Sequence, residues 1–173
     1  MLCLGSKVLV SGLDNPWSLL WGPDSYLWLT ERTGKSIKRI NPKTDEVYTA
    51  GTIDEVFTDV SVHKGLLGLA LSPKFGQGDD TLYVYYTYKD GETLYGKIVK
   101  FNYAKDKITG GTIVIDKFPA GNDHNAERLV FSTDGRQIFI ATDKAGNGRD
   151  LQGLPTNEMK NPGAILMFTY REP

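Results

Sequence analysis

Cysteine is all but missing: Cys3 is the only one among 173 residues. That excludes an internal disulfide framework and a thiolate-rich metal cage, and Cys3, close to the chain end, reads as incidental. There is no excess charge of either sign, since 20 basic side chains stand against 21 acidic ones for a net charge of -1. Electrostatics therefore give no reason to expect a nucleic acid or an anionic membrane as partner. Long hydrophobic runs are absent too. Residues 163–170 form one of the longest, far short of the roughly 20 apolar residues a membrane helix needs. Residues 1–6 have neither a basic start nor an apolar core, so no export signal is read there. Helical periodicity is equally scarce: apolar spacing at i, i+3, i+4, i+7 never lasts beyond about two turns.

What is present is a series of short β-branched and aromatic runs at 7–10, 26–30, 81–88, 97–103, 112–115, 137–142 and 164–170. Turn formers separate them, among them Gly22-Pro23-Asp24, Lys89-Asp90-Gly91 and Thr133-Asp134-Gly135. The 19 glycines and 8 prolines are spread along the chain and punctuate it. This is an all-β, antiparallel pattern.

The pattern repeats. Leu19-Leu20-Trp21-Gly22-Pro23, Leu69-Ala70-Leu71-Ser72-Pro73 and Leu129-Val130-Phe131-Ser132-Thr133 share one form: three apolar residues, a small one, then a turn. Each leads into a second strand (26–30, 82–86, 137–141) and a third (36–41, 97–102, 164–169), and the first two units add a fourth (46–49, 112–115). Spacings run from 50 (Leu19 to Leu69) to 67 (Lys97 to Ala164). Four-stranded units at such a period are the signature of propeller blades. The reading is a β-propeller of three blades within one domain, residues 1–173: blade 1 about 17–57, blade 2 about 64–118 and blade 3 about 126–171. A chance repeat in a β-sandwich is the alternative.

Three blades cannot close a ring, because propellers use about four to eight. A half-ring exposes an apolar blade face at each end and an unpaired strand edge. The expectation is a homodimer forming a six-bladed ring, in which strand 7–12 of each chain completes the partner's third blade. A fragment of a longer propeller, or an engineered half, is the competing reading.

The residues carry a family resemblance. Lys7-Val8-Leu9-Val10-Ser11-Gly12-Leu13, then Leu19-Leu20-Trp21-Gly22-Pro23-Asp24 and Trp28-Leu29-Thr30-Glu31-Arg32, resemble the opening blade of the soluble pyrroloquinoline quinone (PQQ)-dependent glucose and aldose sugar dehydrogenases. Gly65-Leu66-Leu67-Gly68 and Ser72-Pro73-Lys74-Phe75 resemble the start of that family's second blade. Asp123-His124, with Arg128-Leu129-Val130 after three intervening residues, resembles the segment bearing its catalytic histidine. The ending, Thr142-Asp143-Lys144-Ala145-Gly146-Asn147 and the stretch 161–170, is similar to the family's last blade. The resemblance thus implies a shortened six-bladed scaffold whose middle blades are missing.

By the same resemblance, His124 is the base that takes the anomeric hydroxyl proton of an aldose, and Asp143 orients it. Such a pair suits the chemistry, since imidazole titrates near neutrality and a carboxylate stabilises the imidazolium. Without the resemblance, His124, in the polar stretch 121–125, reads as a turn histidine with no catalytic work. Asp123 and Arg128 belong to the same candidate site. His63 stands where the family has a glutamine and becomes a candidate sugar or quinone contact. The resemblance implies PQQ and calcium as cofactors and a periplasmic or secreted setting. No segment, however, resembles the family's calcium-holding carbonyls, its quinone-facing arginine or its carboxylate-binding basic residues.

Other features read as scaffold. Asp54, Glu55, Asp59 and Asp79-Asp80 are expected to be solvated loop charges, not a metal loop. Lys35, Lys38 and Arg39 read as the wet face of an outer strand, and the tyrosines of 83–95 as blade packing. Gly146-Asn147-Gly148 is a turn and no phosphate cradle, and no nucleophile elbow is present. Two functions follow: a PQQ-dependent sugar dehydrogenase, or a non-catalytic propeller that binds a ligand or a protein.

Overall fold

In a computed structural model, which describes residues 5–121, 125, 128–142 and 164–169, the chain is all-β, and the described residues include no helix. The first sheet comprises β1 (Pro16–Trp21), β2 (Leu27–Glu31), β3 (Ser36–Ile40) and β4 (Val47–Thr52). The second comprises β5 (Leu66–Leu71), β6 (Thr81–Asp90), β7 (Thr93–Ala104) and β8 (Lys107–Pro119). The third comprises β9 (Arg128–Phe131), β10 (Gln137–Thr142) and β11 (Ala164–Thr169). Each is an antiparallel meander whose strands follow one another in sequence order, as in the blades of a propeller.

The sequence repeat becomes a repeated turn. Gly22, Ser72 and Ser132 each end an inner strand and donate their N–H to the carbonyl of Tyr26, Thr81 and Gln137 respectively, at 2.8–2.9 Å. Their own carbonyls accept the N–H of the residue three further on, Ser25, Phe75 and Gly135, at 2.9–3.0 Å. A small residue is needed at the first of these corners: a Cβ on Gly22 would lie 2.7 Å from the Trp28 indole. The inner strands share a second irregularity. Register shifts between Pro16 and Leu19 in β1, and between Leu66 and Leu69 in β5, at the start of each strand.

The second sheet is buried on both faces, which is why β6 reads as one continuous apolar run. Leu82, Val84, Tyr86 and Tyr88 pack with Trp28, Ile37, Ala50 and Leu66 in a core between the first two sheets. Tyr83 and Tyr85, pointing the other way along the strand, pack with Leu67, Ala70, Leu129, Ile138 and Ile140 in a core shared with the third sheet. β6, β7 and β8 all exceed their expected spans, β8 the most. The 112–115 run is the middle of a 13-residue β8, paired to β7 through a tight turn in which Lys105 and Asp106 both take positive φ (52° and 61°).

Side by side, β1, β5 and β9 line an open groove of about 600 Å³ that includes Leu19, Trp21, Leu71, Arg128 and Val130. The outermost faces are apolar as well. Trp21, Leu27, Ile40 and Val47 are register partners across the first sheet on the side away from the core, and Val130, Phe139 and Met167 across the third. Trp21, Val130 and Met167 are each more than half exposed. Among the described residues, 5–13 join no sheet, Val8 is exposed, and β11 has no outer neighbour.

Candidate functional site

One end of the sheets gathers the starts of β1, β5 and β9 with the loops that lead into them. The loop 53–65, which carries His63, is tied down along its whole length. Ile53 N–H donates to the Lys35 carbonyl (2.9 Å) and Phe57 N–H to the Thr87 carbonyl (2.7 Å). Thr87 Oγ1 then donates to the Phe57 carbonyl and accepts from Gly65 N–H, both at 2.8 Å.

The strongest restraint is Arg32, which follows β2 and is buried. Its Nη1 donates to the carbonyls of Asp59 (2.9 Å), Val62 and Lys64 (3.2 Å), so one guanidinium holds three carbonyls around His63. The cost of burying that charge is offset by the hydrogen bonds it makes. Gly65 must be glycine for this packing: its φ is +140°, and a Cβ would lie 2.3 Å from the Arg32 carbonyl oxygen.

His63 is half-buried, its ring 5.1 Å from that of Trp17 at the start of β1. Arg32 lies over the same indole at 5.5 Å, so Trp17 is flanked by the guanidinium and the imidazole. Trp17 Nε1 is buried with no hydrogen-bond partner among the described residues. From the other side, Asn125 Nδ2 donates to the His63 carbonyl (2.8 Å), while its Oδ1 accepts from Gly121 N–H (3.0 Å). The loop that enters β9 is thereby fastened to the loop that enters β5.

Of the expected site residues, His63 sits in this cluster. Arg128 opens β9, pairs with Ala141 and is exposed in the inner groove. His124, Asp123 and Asp143 lie outside the described residues. Trp17, Arg32 and Asn125 were not singled out from the sequence. The one signal available was a charged residue, Arg32, directly after a strand of otherwise core character.

A second cluster lies toward the outside of the same end. Lys97 Nζ donates to Glu55 (2.8 Å) and sits 3.9 Å over the Tyr88 ring, while Tyr86 also donates to Glu55 and Tyr88 to Asp116 (2.5 Å). Burial pushes the Glu55 carboxyl up, yet the hydrogen bonds from Lys97 and Tyr86 outweigh it and hold the carboxyl below its ordinary value. Burial and the Asp116 bond raise Tyr88 well above the usual phenol range.

The basic strand face is a correction. Arg39 stacks on Tyr26 at 3.5 Å and donates to Asp24 (2.8 Å), and Lys38 lies 3.4 Å from Glu31, so these cations are built into the blade. The acidic loop residues are likewise committed locally, Asp79 to Ser72 and Thr81, and Asp59 to Ser61. Among the described residues no group of three His, Cys, Asp or Glu is placed to hold a metal ion. A polycarboxylate quinone such as PQQ needs cationic or N–H donors, and the buried guanidinium here is occupied by loop carbonyls. Arg32 is therefore committed to the loop carbonyls.

Comparison with known proteins places this geometry in context. The family profile described as Glucose / Sorbosone dehydrogenase matches residues 13–170. Over 164 residues the chain is 31% identical to quinoprotein glucose dehydrogenase B of Acinetobacter calcoaceticus, covering 90% of this chain and 34% of that protein. The PQQ-bound form of an aldose sugar dehydrogenase from Streptomyces coelicolor superposes with a TM-score of 0.76 at 25% identity, covering 94% of this chain and 47% of that one. A putative oxidoreductase (glucose dehydrogenase) of Thermus thermophilus gives 0.70 at 27% identity, with 82% and 41% covered. The chain therefore spans between a third and a half of the length of these relatives.

Proposed function

Because the chain belongs to the glucose/sorbosone dehydrogenase family, we propose that it forms the histidine-bearing half of a sugar-oxidising propeller. In this reading His124 takes the proton of the anomeric hydroxyl of an aldose, and Asp143 holds its imidazole in the right tautomer. His63, Asp123 and Arg128 contact the sugar or the quinone. The observation that carries the reading is the Asn125–His63 bond of 2.8 Å, which joins the loop preceding β9, the one containing His124 in sequence, to the loop of His63.

Redox chemistry in this family needs PQQ, and no segment of the chain resembles the family's calcium-holding carbonyls, its quinone-facing arginine or its carboxylate-binding basic residues. Binding of PQQ and calcium is therefore the point on which the dehydrogenase reading stands or falls. A second copy would close the ring without adding those motifs: its blade face covers the exposed row at Met167, and its residues 7–12 pair with the edge of β11. The exposed apolar row of Val130 and Met167, and the edge of β11, which has no outer neighbour among the described residues, support that arrangement.

The test is dye reduction with glucose, PQQ and Ca²⁺ added to the purified chain. Turnover in the wild type that falls at least about a hundredfold in His124→Ala supports general-base catalysis. No turnover and no heat of PQQ binding would refute it. That outcome favours the second reading, a non-catalytic propeller serving as a binding module, which the engagement of Arg32 by loop carbonyls also supports.

A further inference from the structure

The loop 59–64 is closed on itself by short bonds, Ser61 N–H and Oγ to Asp59 Oδ1 (3.0 and 2.6 Å) and Lys64 N–H to the Val62 carbonyl (2.8 Å). It is joined to the rest of the sheet end by Arg32 on its carbonyls and by Asn125 on that of His63, and its one ring side chain rests on Trp17. An arginine suits this position because its planar fork spreads donors over the loop, Nη1 to the carbonyls of Asp59, Val62 and Lys64 and Nη2 to that of Val60 (3.5 Å), whereas an ammonium donates from a single centre. The carbonyls of Asp59, Val62 and Lys64 flank His63 on both sides in sequence, so their common donor fixes where the imidazole sits. The same guanidinium lies over the indole against which His63 packs, at 5.5 Å and 5.1 Å.

We propose that Arg32 is a positioning residue for His63, acting through the loop carbonyls and through Trp17. Its role as a site determinant rests on the reading of His63 as a sugar or quinone contact. Glu31, its neighbour in sequence, does a different job: it accepts from Asp14 N–H (2.9 Å) and Ser36 Oγ (2.5 Å), outside the His63 loop. Arg32 is therefore separable from the rest of the strand end.

The chain has two histidines, so a histidine-labelled sample gives two imidazole signals, and His124→Ala assigns them. In Arg32→Gln the His63 signal moves toward its free-peptide position, and the amides of 60–64 exchange about tenfold faster or more. Arg32→Lys keeps the charge and the folded spectrum but recovers less than half of the His63 displacement. Trp17→Phe, which keeps an aromatic face, disturbs His63 less than Arg32→Gln. A His63 signal and 60–64 exchange rates unchanged in Arg32→Lys, or unchanged in a folded Arg32→Gln, overturn the proposal. These readouts need neither quinone nor sugar. Absent turnover would thus sink the sugar-oxidation reading without touching the ordering of His63.

Discussion

Gly65 is the residue on which the site's packing is least negotiable. Its backbone lies in a region that side chains rarely adopt, and a methyl group there would strike the Arg32 carbonyl. Gly65→Ala is expected to cost about 2–4 kcal/mol in urea unfolding, combining strain with a backbone clash. Glu55 carries a pH signature. Its folded carboxyl sits below the ordinary value of 4.5, so the stability it contributes is present above that value and lost as pH falls through the lowered one. Glu55→Gln should lower stability at neutral pH and converge on the wild type well below pH 4.5, so that the acid limb is flatter; an unchanged acid limb would contradict the pairing with Lys97. At this scale little of the site was legible beforehand. His63 stood out by its type and its place before Gly65-Leu66-Leu67-Gly68. Arg32 and Asn125 did not, because their partners are backbone carbonyls some 30 and 62 residues away, and carbonyls have no sequence signal.

At the scale of elements, the small residue after each inner strand proved readable because a single turn, with the same two hydrogen bonds, recurs at Gly22, Ser72 and Ser132. The extent of β8 was not. Gly110 and Gly111 look like a strand boundary, yet both take positive φ and form a bulge opposite Phe101, after which pairing resumes at Thr112 with Lys100. Arg39 was misjudged for a related reason: its partners Asp24 and Tyr26 belong to a neighbouring hairpin, and no local pattern announces them. The hairpin tip of β7–β8 also leans onto the first sheet. Arg39 pairs with Asp106 (3.3 Å), Lys107 donates to the Thr49 carbonyl (2.8 Å), and Ile108 covers Gly51. A Cβ on Gly51 would fall 2.2 Å from Ile108 Cγ1. Gly51→Ala should therefore destabilise by about 1–3 kcal/mol as overpacking. Combined with Ile108→Ala the losses should be less than additive, and strict additivity would show that the two sheets do not meet there.

For the whole molecule, the fold class was legible in the sequence because a repeating unit buries its faces only by stacking on neighbours. The second sheet, covered on both sides, demonstrates the principle; the third has one face packed on it and an apolar row, Val130 and Met167, exposed on the other, while on the far face of the first sheet Trp21 is exposed but Ile40 is buried. What the sequence could not display is how Arg32, Trp17 and Asn125 converge on one loop, since that depends on blades meeting in space. In the proposed arrangement two such chains unite into one ring. Sedimentation velocity of the purified chain at micromolar concentration tests this directly. A single species at twice the 19.2 kDa chain mass, reverting to the chain mass when residues 1–12 are removed, is the predicted result. A stable 19.2 kDa particle, indifferent to that removal, would contradict it.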